Sequence, residues 1–423
     1  MKLHKRFLVL AFLGIILFLI IPSSAQLTEI HSDTMAILTE ANDNEYLLVY
    51  KYDTIRNERV VNEEIRARTC KRTATEFQTR DIEETLVMDW RFRADHKFPK
   101  REDPPLTVTH VANKTALVFY EETAFLFLVA QNLTATDLEL FLLYSEDNGA
   151  IWSDLIYLNI TAEINIINFR WFDASILENE IFVAISDLSR TRLVFIDPDA
   201  KEISSEEDSL EYYGRDFELY DYDNKVYIVS TILPTQGLNA THISLTYIIG
   251  TSFYFQRANI QAPMQLSEYF NPSIVFWPKE NQFLIIAQDK LIDVYDLTQG
   301  IFFEEDYLWG VMVSGTDDTT PEYIDVVKDR ETVDGYYRRE PSVSIYEEQI
   351  FVAFEVGEGR RFGGGFPEVG FGFSTNGETW TASYLGQFTI FNNPGIYFAV
   401  AAVGSFVIVL PSYYFYNRYR KRK

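Results

Sequence analysis

One cysteine, Cys70, occurs in 423 residues. A lone thiol excludes an intrachain disulfide. No His or Asn accompanies it in a nucleophile-activating pattern, so Cys70 reads as a small apolar side chain. Histidine is nearly as scarce, and His31, His96, His110 and His242 lack ligand spacing. No metal site and no cofactor is therefore expected. Base is short relative to acid, with 37 Lys and Arg against 62 Asp and Glu and a net charge of −25. A body this acidic repels phosphate backbones, which excludes nucleic acid as a partner. Also missing, between the two ends, is any long apolar stripe at helical spacing. What the chain has instead is 26 Tyr and 33 Phe within a 47% hydrophobic composition, which favours strands.

The two ends differ from the body, since residues 1–25 and 395–423 carry bases and no acids. Lys2, Lys5 and Arg6 precede an apolar run from Phe7 to Ile21. Pro22 and a small-x-small site at Ser23 and Ala25 follow. That pattern predicts a signal peptide over 1–25. Residues 395–416 are uncharged and as a helix reach about 33 Å, enough to cross a bilayer. Tyr413, Tyr414 and Tyr416 fit the interfacial belt, and Arg418, Arg420, Lys421, Arg422 and Lys423 fit the cytoplasmic side. The expectation is one C-terminal transmembrane helix at 395–416, a basic cytoplasmic tail at 417–423, and residues 26–390 outside the cell. Asn113, Asn132, Asn159 and Asn239 each begin an Asn-x-Thr triplet, compatible with a glycosylated exported surface.

Between the ends, six short apolar runs resemble one another: YLLVY at 46–50, FLFLVA at 125–130, IFVAI at 181–185, VYIVS at 226–230, FLIIA at 283–287 and IFVAF at 350–354. Each follows a short strand and a polar turn, and further strand-like segments come after it. The fifth unit reads Asn271-Pro272-Ser273, FLIIA, then LIDVYDL; the sixth begins Glu340-Pro341-Ser342. Such repetition predicts an all-β, six-bladed β-propeller of four-stranded blades. The turn Asp221-Tyr222-Asp223-Asn224 reads as an ordinary hairpin turn.

The stretch Tyr144 to Trp152, YSEDNGAIW, places Ser145, Asp147, Gly149 and Trp152 at the spacing Ser-x-Asp-x-Gly-x-x-Trp, with Ile151 where Thr is usual. It resembles the Asp-box, or BNR repeat, of sialidase-like β-propellers. Asp accepts hydrogen bonds from its own turn, Gly supplies positive φ, and Trp packs its ring. A second copy, FSTNGETW at 373–380, keeps Gly377 and Trp380. Aligned on that Gly, Thr375 takes the place of the Asp, so the carboxylate cap is expected to be lost.

The resemblance implies a site on the face away from these hairpins. Sialidases of this kind clamp a carboxylate with an arginine trio and use a Tyr–Glu nucleophile pair and an Asp acid/base. They carry one Arg in a Phe-Arg-Ile-Pro-like stretch opening the first blade. Here that place reads His31-Ser32-Asp33-Thr34-Met35, without Arg. Arg170, Arg215, Arg338 and Arg339 stand before or within expected innermost strands, and Arg360 and Arg361 lie in the Gly-rich loop 357–370. Guanidinium groups converging on one mouth suit a carboxylate or acidic sugar; pairing with neighbours such as Asp216 and Glu340 is the structural reading. The expected role is a membrane-anchored, type I cell-surface protein whose propeller binds a glycan or protein as receptor, adhesin or scaffold. The alternatives are a diverged exo-sialidase-like glycoside hydrolase and an architectural envelope protein.

Overall fold

The computed structural model describes residues 30–42, 45–56, 59–72, 77–78, 84–90, 108–132, 137–160, 164–165, 169–187, 191–209, 216–232, 242–249, 252–261, 268–290, 294–296, 301–303, 306–315, 322–326, 336–346, 348–358 and 368–384. Residues 31–55 and 59–385 form one compact unit. Its regular structure, among the described residues, is strand, arranged as an all-β β-propeller. No described helix is long and apolar enough to cross a membrane. The segments 1–25, 395–416 and 417–423 lie outside the described residues.

The first sheet holds β1 (Ile30–Asn42), β2 (Glu45–Arg56), β3 (Arg59–Arg72), β4 (Phe77–Gln78) and β5 (Glu84–Trp90). The second holds β6 (Val108–Tyr120), β7 (Thr123–Asn132), β8 (Asp137–Ser145), β9 (Ile156–Leu158) and β10 (Ile164–Asn165). The third is β11 (Phe169–Leu177), β12 (Glu180–Asp187), β13 (Thr191–Asp197) and β14 (Glu202–Ser209). The fourth is β15 (Phe217–Tyr222), β16 (Lys225–Ile232), β17 (His242–Ile249) and β18 (Ser252–Gln261). The fifth begins with β19 (Glu268–Trp277) and β20 (Gln282–Lys290). A separate ribbon of β21 (Val294–Asp296) and β22 (Ile301–Phe303) interrupts it before β23 (Asp306–Val313) and β24 (Glu322–Val326) complete it. The sixth is β25 (Tyr336–Tyr346), β26 (Gln349–Glu358), β27 (Glu368–Ser374) and β28 (Thr381–Tyr384).

Every repeated apolar run is the second strand of its sheet, and the packing explains its composition. Side chains alternate across a strand. In β7, Phe125, Phe127 and Val129 face the third sheet, while Ala124, Leu126 and Leu128 face the first. In β2, Leu47 and Val49 face the second sheet, while Tyr46, Leu48 and Tyr50 face the sixth. A strand buried on both faces carries no polar alternation. The third and fourth sheets meet through Phe182, Phe195, Val226 and Ile228. The fourth and fifth meet through Tyr227, Val229, Phe283 and Ile285, and the fifth and sixth through Leu284, Ile286, Val352 and Phe354. The inner strands β6, β11, β15, β19 and β25 follow one another in contact. The first sheet joins through β2, β3 and β5, whose side chains fill the seams to its neighbours.

Two expectations change. The first two sheets have five strands where four were expected. Short β4 and β5 divide the outer edge of long β3, and β9 and β10 divide that of β8. LIDVYDL does not continue the fifth sheet; it contributes to the β21–β22 ribbon, and Asp306–Val313 takes the interior place. The physical reason is burial: YLWGVMV is a continuous apolar run suited to an interior strand, whereas LIDVYDL alternates.

Candidate functional site

Inner strands are edge strands, with one row of backbone groups turned away from their own sheet. Buried N–H groups of that row need acceptors. One position recurs on the inner strands β6, β11, β15, β19 and β25, and on β11, β15 and β19 it meets this need. Thr115, Asp173, Glu218, Ser273 and Ser342 pair across their sheets with Leu128, Ala184, Val229, Ile286 and Ala353, the fourth residue of each repeated run. Asp173 Oδ2 accepts from the N–H of Leu219 at 2.8 Å. Glu218 Oε1 accepts from the N–H of Ile274 at 3.0 Å and from Ser273 Oγ at 2.8 Å. Ser273 Oγ accepts from the N–H of Val343 at 2.9 Å. Each polar side chain thus ties its own sheet to the next. Thr115 holds the same place at 2% exposure, yet its Oγ1 bonds nothing.

Around these residues the inner strands enclose a cavity of about 570 Å³, within the range of small-molecule sites. Its charged walls are Asp173, Glu218, Asp221 and Glu340; no Lys, Arg or His lines it among the described residues. Phe119, Trp171, Tyr220, Tyr222 and Phe276 supply aromatic surface. At the end where β15 turns into β16, Tyr222 stacks on Phe276 with centroids 3.9 Å apart. Asp223 and Asn224 form that turn with φ of 53° and 57°, as a two-residue hairpin of mirror-image type requires. Ser175 Oγ donates to Asp221 Oδ1 at 3.3 Å. Asp221 opens onto the channel, but the surrounding protein strips water from it and pushes its carboxyl up.

At the opposite end β6, β11, β19 and β25 each begin with a bulge, whereas β15 pairs in unbroken register. In β19 and β25 the bulges hold Asn271-Pro272 and Glu340-Pro341. Asn271 and Glu340 have φ of 48° and 50°, strained for residues with a Cβ, and doubly so before proline. Bulges of this kind re-aim side chains at the rims of barrel-like folds.

The arginines expected at this mouth divide into two groups. Arg170 lies at the bulge of β11, and Arg338 and Arg339 immediately precede that of β25, so their backbone positions stand at equivalent levels. Arg215, Arg360 and Arg361 fall outside the described residues. Among the triplet asparagines, Asn113 lies in β6 and Asn132 in β7, Asn159 is exposed, and Asn239 lies outside the described residues. The carboxylates of the inner ring escaped the sequence reading. A signal was present, because each stands at a fixed register before the repeated run.

The hairpins containing the Ser-Asp-Gly-Trp pattern sit between the third and fourth strands of the second and sixth sheets, at the end away from the bulges. Ser145 Oγ donates to Asp147 Oδ1 and accepts from Gly149 N–H, both at 2.8 Å. Asp147 Oδ1 also accepts from Ile151 N–H at 2.8 Å, and Trp152 Nε1 donates to the Gly149 carbonyl at 3.0 Å.

No protein-family model and no curated protein sequence matches the chain. Among solved structures, a protein of unknown function from Dyadobacter fermentans DSM 18053 is similar with a TM-score of 0.51 and 14% identity, over 82% of this chain and 95% of that one. Trypanosoma rangeli sialidase in complex with the inhibitor DANA gives 0.46 and 12%, over 78% of this chain and 54% of that one. Hadza microbial sialidase Hz136 gives 0.44 and 11%, over 84% and 66%. At these identities the likeness is one of fold.

Proposed function

We propose that the chain is a binding propeller whose bulged mouth and central channel receive a glycan or protein ligand. The carrying observation is the use made of the inner carboxylates. Asp173 and Glu218 are engaged by the backbone of the next sheet, so they serve the fold. Most glycosidases place two carboxyl groups across the scissile bond, and sialidases use a Tyr nucleophile in place of one; either arrangement needs a carboxyl group that the fold does not hold. The rival reading, a diverged exo-sialidase-like glycoside hydrolase, draws on Asp221, whose raised pKa suits a general acid.

The six sheets of four or more strands, and packing of the first against both the second and the sixth, support counting six blades. In our reading the propeller stands outside the cell on a single span at 395–416, after removal of 1–25, as a surface receptor, adhesin or scaffold. The support is compositional: a basic, apolar leader and an uncharged span followed by bases. The decisive experiment incubates the full-length protein in detergent with a glycan panel and, in parallel, with a fluorogenic sialoside. Saturable binding without turnover is the expected result; turnover abolished by Asp221→Asn would replace binding with hydrolysis. Alkaline extraction should leave the protein in membranes and release a variant lacking 395–416.

A further inference from the structure

We propose that the end of the channel nearest the hairpin turns holds a subsite for a sugar ring, in which Asp221 accepts hydrogen bonds from ring hydroxyls. This rests on the reading of the channel as a ligand site and names where in it a glycan is gripped. The cavity runs from Asn271-Pro272 and Glu340-Pro341 at the bulged mouth to Asp221, Tyr222 and Pro278 at the other end. Asp173 and Glu218, midway along, are engaged by amides of the next sheet. Asp221 is held more loosely. Its side chain bonds Ser175 Oγ, at a long 3.3 Å, and its own backbone N–H. A carboxylate offers about four lone-pair sites, so acceptor capacity is left over, and the residue is exposed.

Two properties of this end point to a hydroxylated ring. The protein packed around Asp221 strips water from a carboxyl group that has few donors of its own. A carboxylate so placed is short of hydrogen bonds, and ligand hydroxyls supply them. Aromatic surface stands beside it: Phe119, Tyr222 and Phe276, all half-buried, line the cavity at the same end. Tyr222 is fixed there by its stack on Phe276 and by an edge contact to Phe283, with centroids 5.7 Å apart. Firm aromatic walls with a few placed polar groups are the usual build of a small-molecule pocket. A pyranose matches them with apolar C–H faces and a rim of hydroxyls. The subsite lies at the end away from Arg170, Arg338 and Arg339, so its chemistry does not depend on where those side chains point.

The test uses uncharged probes. Full-length protein in detergent is titrated calorimetrically with cellotriose, maltotriose and the trimer of N-acetylglucosamine, and at least one is expected to bind. Asp221→Asn, close in shape, should weaken that trimer roughly tenfold through loss of a charged acceptor, with thermal melts confirming the fold. A second readout needs no variant. Carbodiimide labelling of wild-type protein, read by mass spectrometry, should show Asp221 protected by the bound trimer and Asp223, exposed in the adjoining turn, labelled as before. If the variant fails to fold, the labelling decides alone. Binding that leaves Asp221 labelling unchanged, or affinity unchanged in the folded variant, overturns the subsite and leaves the channel reading standing. Absence of binding by all three at millimolar concentration also overturns the subsite; only a blank glycan panel as well overturns the channel as a ligand site.

Discussion

Two hairpins, 144–153 and 373–380, do the same work with different residues. In the first, Asp147 supplies the cap. In the second, alignment on Gly377 put Thr375 at the capping place and predicted loss of the cap. The structure aligns on the serine instead. Ser374 Oγ accepts from Gly377 N–H at 2.9 Å, as Ser145 does from Gly149. Asn376 Oδ1 then accepts from Glu378 and Thr379 N–H at 3.1 and 2.9 Å. The second hairpin is one residue shorter between Ser and Gly, and an amide oxygen replaces the carboxylate. The cap is retained, because the turn requires an acceptor two residues after the serine, charged or not. Trp380 Nε1 bonds the Gly377 carbonyl at 3.0 Å, the same distance as Trp152 to Gly149.

What differs more is the docking of each glycine. Gly149 has φ of 86°, and a Cβ there would lie 2.5 Å from Leu47 Cδ1 of the first sheet. Gly377 has φ of 73°, but its nearest neighbours are Trp277 ring atoms at 3.3 Å. Gly149→Ala is therefore expected to cost about 3 kcal/mol, backbone strain plus overpacking, and Gly377→Ala about 1–2 kcal/mol, mainly strain. Denaturant midpoints of the two variants compare them directly; equal costs would remove the docking argument.

Cap removal comes next. Asp147→Ala and Asn376→Ala should each lose about 1–2 kcal/mol, since each oxygen serves two or more donors. A neutral result at Asn376 would restore the reading that the second hairpin has no cap. Trp152→Phe and Trp380→Phe retain most of the ring and lose one hydrogen bond, about 1 kcal/mol each, measurable in the same series. Ile151→Thr should change stability by under about 0.5 kcal/mol. Position 151 contributes only its N–H, and its side chain is 72% exposed, which explains why Ile is tolerated where Thr is usual.

The smallest effect contrasts carboxylates that support the fold with one that the fold crowds. Folding raises the Asp221 pKa above its unfolded value. The charged form is thus disfavoured in the native state, and stability falls as pH rises from the unfolded pKa through the folded one. Asp221→Asn is expected to be more stable than wild type at neutral pH, with the gap closing near pH 4 and below. Melting curves across pH check the sign.

Much of the architecture was legible in the chain. The six second strands were found because burial on both faces forces an unbroken apolar run, and a turn such as Asp223-Asn224 announces itself locally. LIDVYDL misled because a two-stranded ribbon and a sheet strand share short-range signals. The mouth arginines were legible only as positions: Arg170, Arg338 and Arg339 stand on inner strands, and their residue type says nothing of convergence.

The sequence by itself determined the repeat, its apolar second strands and the turn chemistry, since these depend on neighbours a few residues away. Only the tertiary structure decided that Asp173, Glu218 and Ser273 would meet amides 46, 56 and 70 residues further along. Those partners arrive from the next sheet. An edge N–H donates to any suitably placed oxygen, so the local sequence shows the recurring position but not the amide that the side chain will meet.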